Sequence, residues 1–596
     1  ERINDYSELL LPDDLISEFS IVEDIKNGMP PEDCQEVEIL GWLYQFYISE
    51  KKDEVFASKA KVKKEDIPAA TQLFTPRWIV EYMVQNTVGK LWLQNNPQSR
   101  LREHMPYFIE SPSVESDEYL KINSVEEITL LDQACGSGHI LVYGFELLSK
   151  IYEEEGYNES EIPKLIIEKN LYGFEIDERA AQLAGLALML KARSYQRRVF
   201  KKEIRPNILC YKDLKLKVYN CNNFLETFKV NKESPLLKQL LSYGYCIAEK
   251  IEQIWEEDFT DEDTGETVTI ERTKLKIRKG SELCEKDYEN IILYGNKEIT
   301  IYKDELKDTF RLTNLNINYS LYADLKNMLQ ATNLGSLIIP KNDTLDIKAV
   351  LKAVQKSSLT ADIFLKNHLN QIIEALNQLL LLSKKYHCVV DNPPYMGGGN
   401  MNKELSDFVK TYYKDSKSDL MACFMEAGLK VLQPKGFLGM INQHSWMFLS
   451  SYEKLRKKLI KNTFFDTLLH LGSRTFPEIG GEVVQNAAFT LINNKSNFKG
   501  SYIRLVDEKH THLKRDKALV AIKNKKSILF YNSNQIDFEK IPGSPIAYWV
   551  KINHMDTFTT KEFVLNNLKI KQGLATGNND EFLRMWFEVT KSEMGL

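Results

Sequence analysis

Apolar residues recur at helical spacing through the first 120 positions: Val37, Leu40, Leu43 and Tyr44, then Ile79, Tyr82, Met83 and Leu91. The polar stretch 102–126, broken by Pro106 and Pro112, reads as a linker. The period then changes. The apolar run Ile128–Leu131 predicts a strand opening into Asp132-Gln133-Ala134-Cys135-Gly136-Ser137-Gly138, with a helix from about Ile140 to Ile151. A second strand, Leu171–Ile176, ends in Glu175-Ile176-Asp177 and leads into an Ala/Leu-rich helix over 178–196. Strands alternating with helices predict an α/β doubly wound sheet.

The alternation stalls over 226–385, a span too long for one crossover, which reads as an inserted module. Within it, strand-like segments flank the turn signal Asp263-Thr264-Gly265-Glu266. The second arm carries Arg272, Lys274, Lys276 and Arg278 at period two, hence on one face. Leu365, Leu369, Ile372, Ile373, Leu376 and Leu379 then predict a helix. It feeds a short strand, Tyr386–Val390, ending in Asp391-Asn392-Pro393-Pro394-Tyr395. One helix over 403–432, a strand over 436–442, a helix over 451–461 and strands near 464–470 and 484–492 complete the pattern.

At 596 residues the chain is long enough for about three to four domains. With 43% hydrophobic and 27% charged residues it reads as a folded, soluble chain with ample core. The net charge of -6 excludes a uniformly basic nucleic-acid coat but leaves room for a local basic groove. No apolar run approaches the roughly 20 residues of a membrane span, and a chain opening on Glu1 reads as processed. Eight cysteines without a CxxC pair argue against a disulfide scaffold or zinc ribbon. A cytoplasmic location without a metal centre is therefore expected.

Three strings carry candidate chemistry. Gly136-Ser137-Gly138 lacks the third glycine of a dinucleotide fingerprint. A tight strand-to-helix turn still lets backbone N–H groups approach an anionic group such as a carboxylate, with an ordinary glycine turn as the alternative. Glu175 closes the next strand, where a carboxylate accepts both hydroxyls of a ribose, although a surface acid fits the same position. Together, loop and acid favour a nucleoside ligand. Asn392-Pro393-Pro394-Tyr395 follows an apolar strand at the carboxyl edge where such sheets bind ligands. Its prolines fix the backbone and remove two N–H donors. The Asn392 side-chain oxygen and the Pro393 carbonyl then both accept hydrogen bonds, and Tyr395 offers a flat face. That set suits an exocyclic amino group on a planar base; a Pro-Pro turn with a packing tyrosine is the bland reading.

Asp132-x-Ala134-Cys135-Gly136-Ser137-Gly138, Gly173-Phe174-Glu175-Ile176-Asp177 and Asn392-Pro393-Pro394-Tyr395 resemble motifs I, II and IV of amino-methyltransferases acting on adenine in DNA. Their order, with Phe74-Thr75-Pro76 upstream as motif X, resembles the γ class. Longer strings narrow the likeness. Ser416–Leu420, Gln443–Tyr452, Ile479–Gln485 and Gly543–Trp549 are similar to PglX-type adenine-specific methyltransferases of BREX phage-resistance systems. The likeness runs from about residue 70 to 590.

The resemblance implies a Rossmann-like class I sheet dependent on S-adenosylmethionine (SAM), with a helical N-terminal domain and a large helical and hairpin insertion. It divides the chain into a helical domain with motif X (1–120), the two halves of the methyltransferase domain (121–225 and 386–500) and the insertion (226–385). Residues 501–596 open a target-recognition region, truncated at Leu596 just past Gln572–Gly577 and Phe582–Arg584. With SAM as methyl donor, Asp132, Ala134, Cys135, Gly136 and Gly138 surround its methionine part and Phe74 and Thr75 close over it. Glu175 holds its ribose, with Ile176 alongside. Asn392 and Pro393 hold adenine N6, Pro394 fixes the turn and Tyr395 stacks on the base. The motif III acid has its nearest counterpart in Asn223 of Asn222-Asn223-Phe224-Leu225, with Asp213 a rival, and Gln133 stands where proline is common.

Adenine N6 is unreachable inside a duplex, so the base must flip out, at a cost of a few kcal/mol. The implied partners are double-stranded DNA with a flipped adenine and other BREX components; a DNA-mimicking phage inhibitor is a reasonable third. Phosphate contacts fall to the hairpin face or to Arg193, Arg197, Arg198, Lys201, Lys202 and Arg205, each also readable as a solvated face. His444, Trp446 and Phe448 border the same sheet edge, as pocket walls or as structural side chains. Three rivals stand. Pro12-Asp13 with Asp24-Ile25-Lys26 fits a loose nuclease pattern in a helical-looking segment. Protein glutamine methyltransferases share the Asn-Pro-Pro-Tyr string. A SAM-binding recognition subunit would turn over only within a complex.

Overall fold

The computed structural model describes residues 14, 17–29, 37, 39–58, 60–110, 119–201, 203–215, 246–260, 267–279, 288–294, 311–312, 315–316, 324–360, 363–476 and 484–559. Strands β1 (Leu130–Asp132), β2 (Leu171–Glu175) and β3 (Asn207–Cys210) follow one another in parallel. A separate antiparallel sheet comprises β4 (Cys246–Thr260), β5 (Thr267–Lys279) and β6 (Tyr288–Tyr294), and β7 (Arg311–Leu312) pairs with β8 (Leu315–Asn316). The main sheet resumes with β9 (Tyr386–Asp391), β10 (Leu432–Gln443), β11 (Phe464–Gly472), β12 (Asn486–Ile492), β13 (Lys499–Arg504) and β14 (Phe530–Asn534).

The nine-stranded sheet has the order β14-β13-β11-β12-β10-β9-β1-β2-β3. Strands β10, β9, β1, β2 and β3 are mutually parallel, and β12 runs antiparallel between β10 and β11. This is the class I methyltransferase sheet, extended by β13 and β14. The chain winds outward from β1 through β3, then returns to β9 on the other side of β1. The crevice beyond the carboxyl ends of β1 and β9 is therefore the topological switch point, where open α/β sheets bind ligands.

Period-two alternation distributes the core over both faces. Leu131, Phe174, Val389, Leu438 and Met440 join one buried cluster with residues of the helices Thr344–Thr360, Ile363–Ser383 and Leu420–Val431. Leu130, Leu171, Cys388, Val390 and Ile441 join another with residues of Arg77–Val84, Lys90–Asn95, His139–Glu154 and Glu178–Tyr195. Among the described residues, no helix is long and apolar enough to cross a membrane.

Four patterns differ from the sequence reading. The helix expected over 403–432 is two, Lys403–Tyr412 and Leu420–Val431. Asp419 ends the continuity because its Oδ1 accepts from Met421 N (3.0 Å) and Met396 N (3.2 Å), a cap that competes with helical bonding. The described parts of the expected linker, 102–110 and 119–126, are packed: Met105, Tyr107, Ile109, Ile122 and Val125 are buried, and Gln85 and Asn86 accept the Tyr107 and Ile109 N–H groups at 2.7 and 2.8 Å. Residues 344–383 cover a sheet face and supply the crossover into β9. Strands β13 and β14 add to the sheet beyond the last expected strand. The Asp263–Glu266 turn lies outside the described residues, between the paired β4 and β5.

Candidate active site

The parallel register sets Leu131 beside Val389 and Asp132 beside Gly173, so the loops after β1, β2 and β9 leave the sheet at one edge. The first turns through Gly136 (φ 52°) and Gly138 (φ 84°), left-handed conformations that glycine adopts without a Cβ penalty. At Gly138 a Cβ would also lie 2.9 Å from the Ala184 Cβ, so this glycine lets the helix His139–Glu154 approach Glu178–Tyr195. Gly136 N donates to Glu175 Oε2 (2.8 Å), while Ile176 N and Asp177 N donate to Oε1 (2.8 and 2.9 Å). Those amides fix the carboxyl in place. Burial pushes Glu175 up to about 7 against their opposing effect.

The N-terminal segment covers this loop. Phe74 stacks on His139 with ring centroids 4.3 Å apart and touches Trp42 at 5.1 Å, and its N–H donates to Gln45 Oε1 (3.1 Å). Burial lowers His139 to about 4, so it is neutral at physiological pH. Thr75 is fully buried, with its Oγ1 unpartnered.

On the β9 side, Asn392 is committed at one end only. Its Nδ2 donates to the Leu73 carbonyl (3.0 Å), and its Oδ1 is buried without a partner. Tyr395 Oη donates to the Ile441 carbonyl (2.8 Å) and accepts from Asn486 Nδ2 (3.3 Å), which anchors the ring to β10 and β12. A cavity of about 960 Å³, counted to its open mouth, is lined by Phe74, Asp132, Glu175, Leu337, Asn392 and Pro394 among others. Ala134, Cys135, Gly136 and Ile176 also line it; Thr75, Gly138, Pro393 and Tyr395 are not among the lining residues.

One wall was not singled out in the sequence. Asn333 to Leu337 face the β1 loop, with Ser336 Oγ donating to the Gln133 carbonyl (2.5 Å). Asn333 exchanges amide hydrogen bonds with Asn402 at 2.8 and 3.2 Å, tying this wall to the loop after Tyr395. Its only sequence signal was Gly335-Ser336, a loop mark within the supposed insertion.

Other candidates fall elsewhere. Asn223, with Asn222–Leu225, lies outside the described residues. Its rival Asp213 binds Thr332 N (2.9 Å) and Lys64, away from the cavity lining. His444 shares a hydrogen bond with His470 (2.8 Å), Trp446 is fully buried against Phe465, and Phe448 packs on Trp549 (5.8 Å); none lines the cavity. Arg193, Arg197, Arg198, Lys201 and Arg205 are exposed, and Lys202 lies outside the described residues. Arg272, Lys274, Lys276 and Arg278 occupy alternate positions of β5. Asp24-Ile25-Lys26 is part of the helix Ile21–Gly28; Pro12-Asp13, residues 479–483 of the Ile479–Gln485 string, Gln572–Gly577 and Phe582–Arg584 lie outside the described residues.

Comparison with known proteins follows this geometry. The family model of the Eco57I restriction-modification methylase matches residues 169–476, and that of the MmeI DNA-methyltransferase domain matches 115–221. The chain is 38% identical over 599 residues to the adenine-specific methyltransferase BrxX of Escherichia coli O9:H4 (strain HS), covering 99% of this chain and 44% of that protein. It is 34% identical over 608 residues to the adenine-specific methyltransferase PglX of Lacticaseibacillus casei (strain Zhang), covering 99% and 43%. The chain thus spans less than half the length of these curated relatives. Among solved structures, a nuclease-deletion mutant of the Type ISP restriction-modification enzyme LlaGI with a DNA substrate mimic matches at TM-score 0.38 and 14% identity, covering 84% of this chain and 29% of that one.

Proposed function

We propose a function on the premise that this chain belongs to the Eco57I restriction-modification methylase family: it transfers the methyl group of SAM to N6 of a flipped adenine in DNA. The observation that carries the reading is one cavity joining the unpartnered Asn392 oxygen to a glycine loop and an immobilised carboxylate. The residues fit SAM. Gly136 leaves the loop open, and Glu175 is placed to accept ribose hydroxyls.

When bound, SAM supplies a methyl group on a sulfonium, already a good leaving group. The chain's task is then placement, since transfer requires the reacting atoms about 3–3.5 Å apart and aligned. Asn392 Oδ1 accepts one N6 hydrogen and the Pro393 carbonyl the other, turning the nitrogen lone pair toward the donor. The bond from Asn392 Nδ2 to Leu73 orients the amide so that its oxygen is the free end. Tyr395, anchored through its hydroxyl, presents a fixed face to the base. Phe74 and His139 cover the loop and exclude water. Following the resemblance in its sequence, we assign the chain to BREX-type phage defence, with double-stranded DNA and other BREX components as partners in the cytoplasm.

The test is transfer of labelled methyl from SAM to unmethylated DNA, with nucleoside analysis. N6-methyladenine is expected, falling on the order of 10²–10³-fold in Asn392→Ala with SAM affinity retained. SAM binding without transfer would favour a recognition component that turns over only in a complex. Failure to bind SAM would overturn the reading of the loop and Glu175.

A further inference from the structure

Gln133 and Asp391 meet where β1 and β9 end side by side. Gln133 Nε2 donates to Asp391 Oδ2 at 2.8 Å, and both residues are buried. Gln133 is held from two further sides: its Nε2 also approaches the Phe424 carbonyl (3.4 Å), and its own carbonyl accepts from Ser336. Asp391 immediately precedes Asn392, and Gln133 opens the glycine loop. This single bond therefore links the two loops that the reaction must hold in register.

We propose that Gln133 and Asp391 form a positioning pair that sets the spacing between the methyl-donor loop and Asn392, with Asp391 in its neutral, protonated form. The inference rests on the methyltransferase reading. Asp391 Oδ1 is buried without a partner, and no ion pair reaches Asp391 among the described residues. The acids on the neighbouring strands are Asp132 of β1, itself held well above the usual carboxylate range by burial and by Asp391, and Glu175 of β2; β10 offers the apolar Met440 opposite. An ionised carboxylate with one hydrogen bond and a neighbouring acid is unfavourable in such surroundings. Burial accordingly pushes Asp391 up to about 8, against the opposing effect of Gln133.

Ionisation at alkaline pH leaves a buried charge with the Gln133 amide as its hydrogen-bond donor and spreads the strand ends. A misplacement of about 1 Å costs roughly 100-fold in rate, while the ribose contact at Glu175 lies on another strand. Asp391 thus acts on kcat and not on cofactor affinity.

The test uses the 596-residue chain as wild type, Asp391→Asn, Asp391→Ala and Gln133→Leu, each checked by its unfolding midpoint. Asp391→Asn keeps the acceptor for Gln133 without a titrating proton. It is expected to retain kcat at neutral pH and to lose the alkaline decline centred near 8. Asp391→Ala and Gln133→Leu are expected to lose kcat about 100-fold, with SAM affinity unchanged in Asp391→Ala, whose side chain is not among those lining the cavity. Infrared difference spectra of wild type minus Asp391→Asn should show the carbonyl stretch of a protonated acid at neutral pH. An unchanged alkaline limb in Asp391→Asn, wild-type kcat in Asp391→Ala, or no infrared difference would each overturn the proposal. If the wild type binds SAM but methylates nothing, the methyltransferase reading fails on its own. The infrared result still decides the state of Asp391.

Discussion

At Glu175, burial and backbone hydrogen bonding act on one carboxyl in opposite directions. Three backbone amides hold it and lower it, yet burial, helped by the Asp177 carboxylate beside it, leaves it near 7. Accepting two ribose hydroxyls requires the ionised form. Below about 7 the protonated fraction grows, and SAM affinity should fall, approaching tenfold per pH unit. Above it, affinity should level off. In Glu175→Gln the affinity should be weak and flat with pH, which calorimetry across this range will show; a wild-type slope in that variant would remove Glu175 from the ribose site. The sequence made such residues legible because each motif is a contiguous string directly after a strand. The Asn333–Leu337 wall was not legible, since its role arises from chain far away in sequence folding back onto Gln133.

At the scale of elements, strands were readable wherever apolar runs met a turn signal, as at β1, β2 and β9. What escaped were breaks and additions made by side chains bonding to backbone. Asp419 splits an apolar-periodic stretch that otherwise reads as one helix. β14 alternates weakly, and β13 includes Gly500 and Ser501, so pairing rather than pattern makes them strands. The contact between the helices His139–Glu154 and Glu178–Tyr195 was half legible: the glycine was, its partner Ala184 was not. Gly138→Ala combines a left-handed backbone with a contact of 2.9 Å, and should cost about 1–3 kcal/mol in denaturant unfolding. Adding Ala184→Gly relieves only the contact, so it should recover part of the loss. Full recovery would mean that backbone strain contributes nothing there.

Across the whole molecule, the segment 77–109 is continuous with the core of the sheet. Tyr82 bonds Thr467 on β11 (2.7 Å), and one buried cluster takes in Ile79, Leu91 and Ile109 together with Leu130, Cys388, Leu469 and Ile503. Composition and period predicted helices there but not their docking, because nothing in a local window pairs Lys90 with Asp466. That ion pair is buried on both sides, with side-chain exposures of 4% and 0%. Forming it overcomes a desolvation cost of several kcal/mol, so the pair fixes where the helix sits more than it adds net stability. Lys90→Met leaves Asp466 buried without this cation and should cost about 3–5 kcal/mol. Lys90→Met with Asp466→Leu removes both charges and should recover most of that loss. If the segment belongs to one cooperative unit with the sheet, the single variant will shift the whole unfolding transition, and the SAM-binding signal will be lost at the same denaturant concentration. An early, separate transition for Lys90→Met, with SAM binding surviving it, would instead make the helices an independently folding cover.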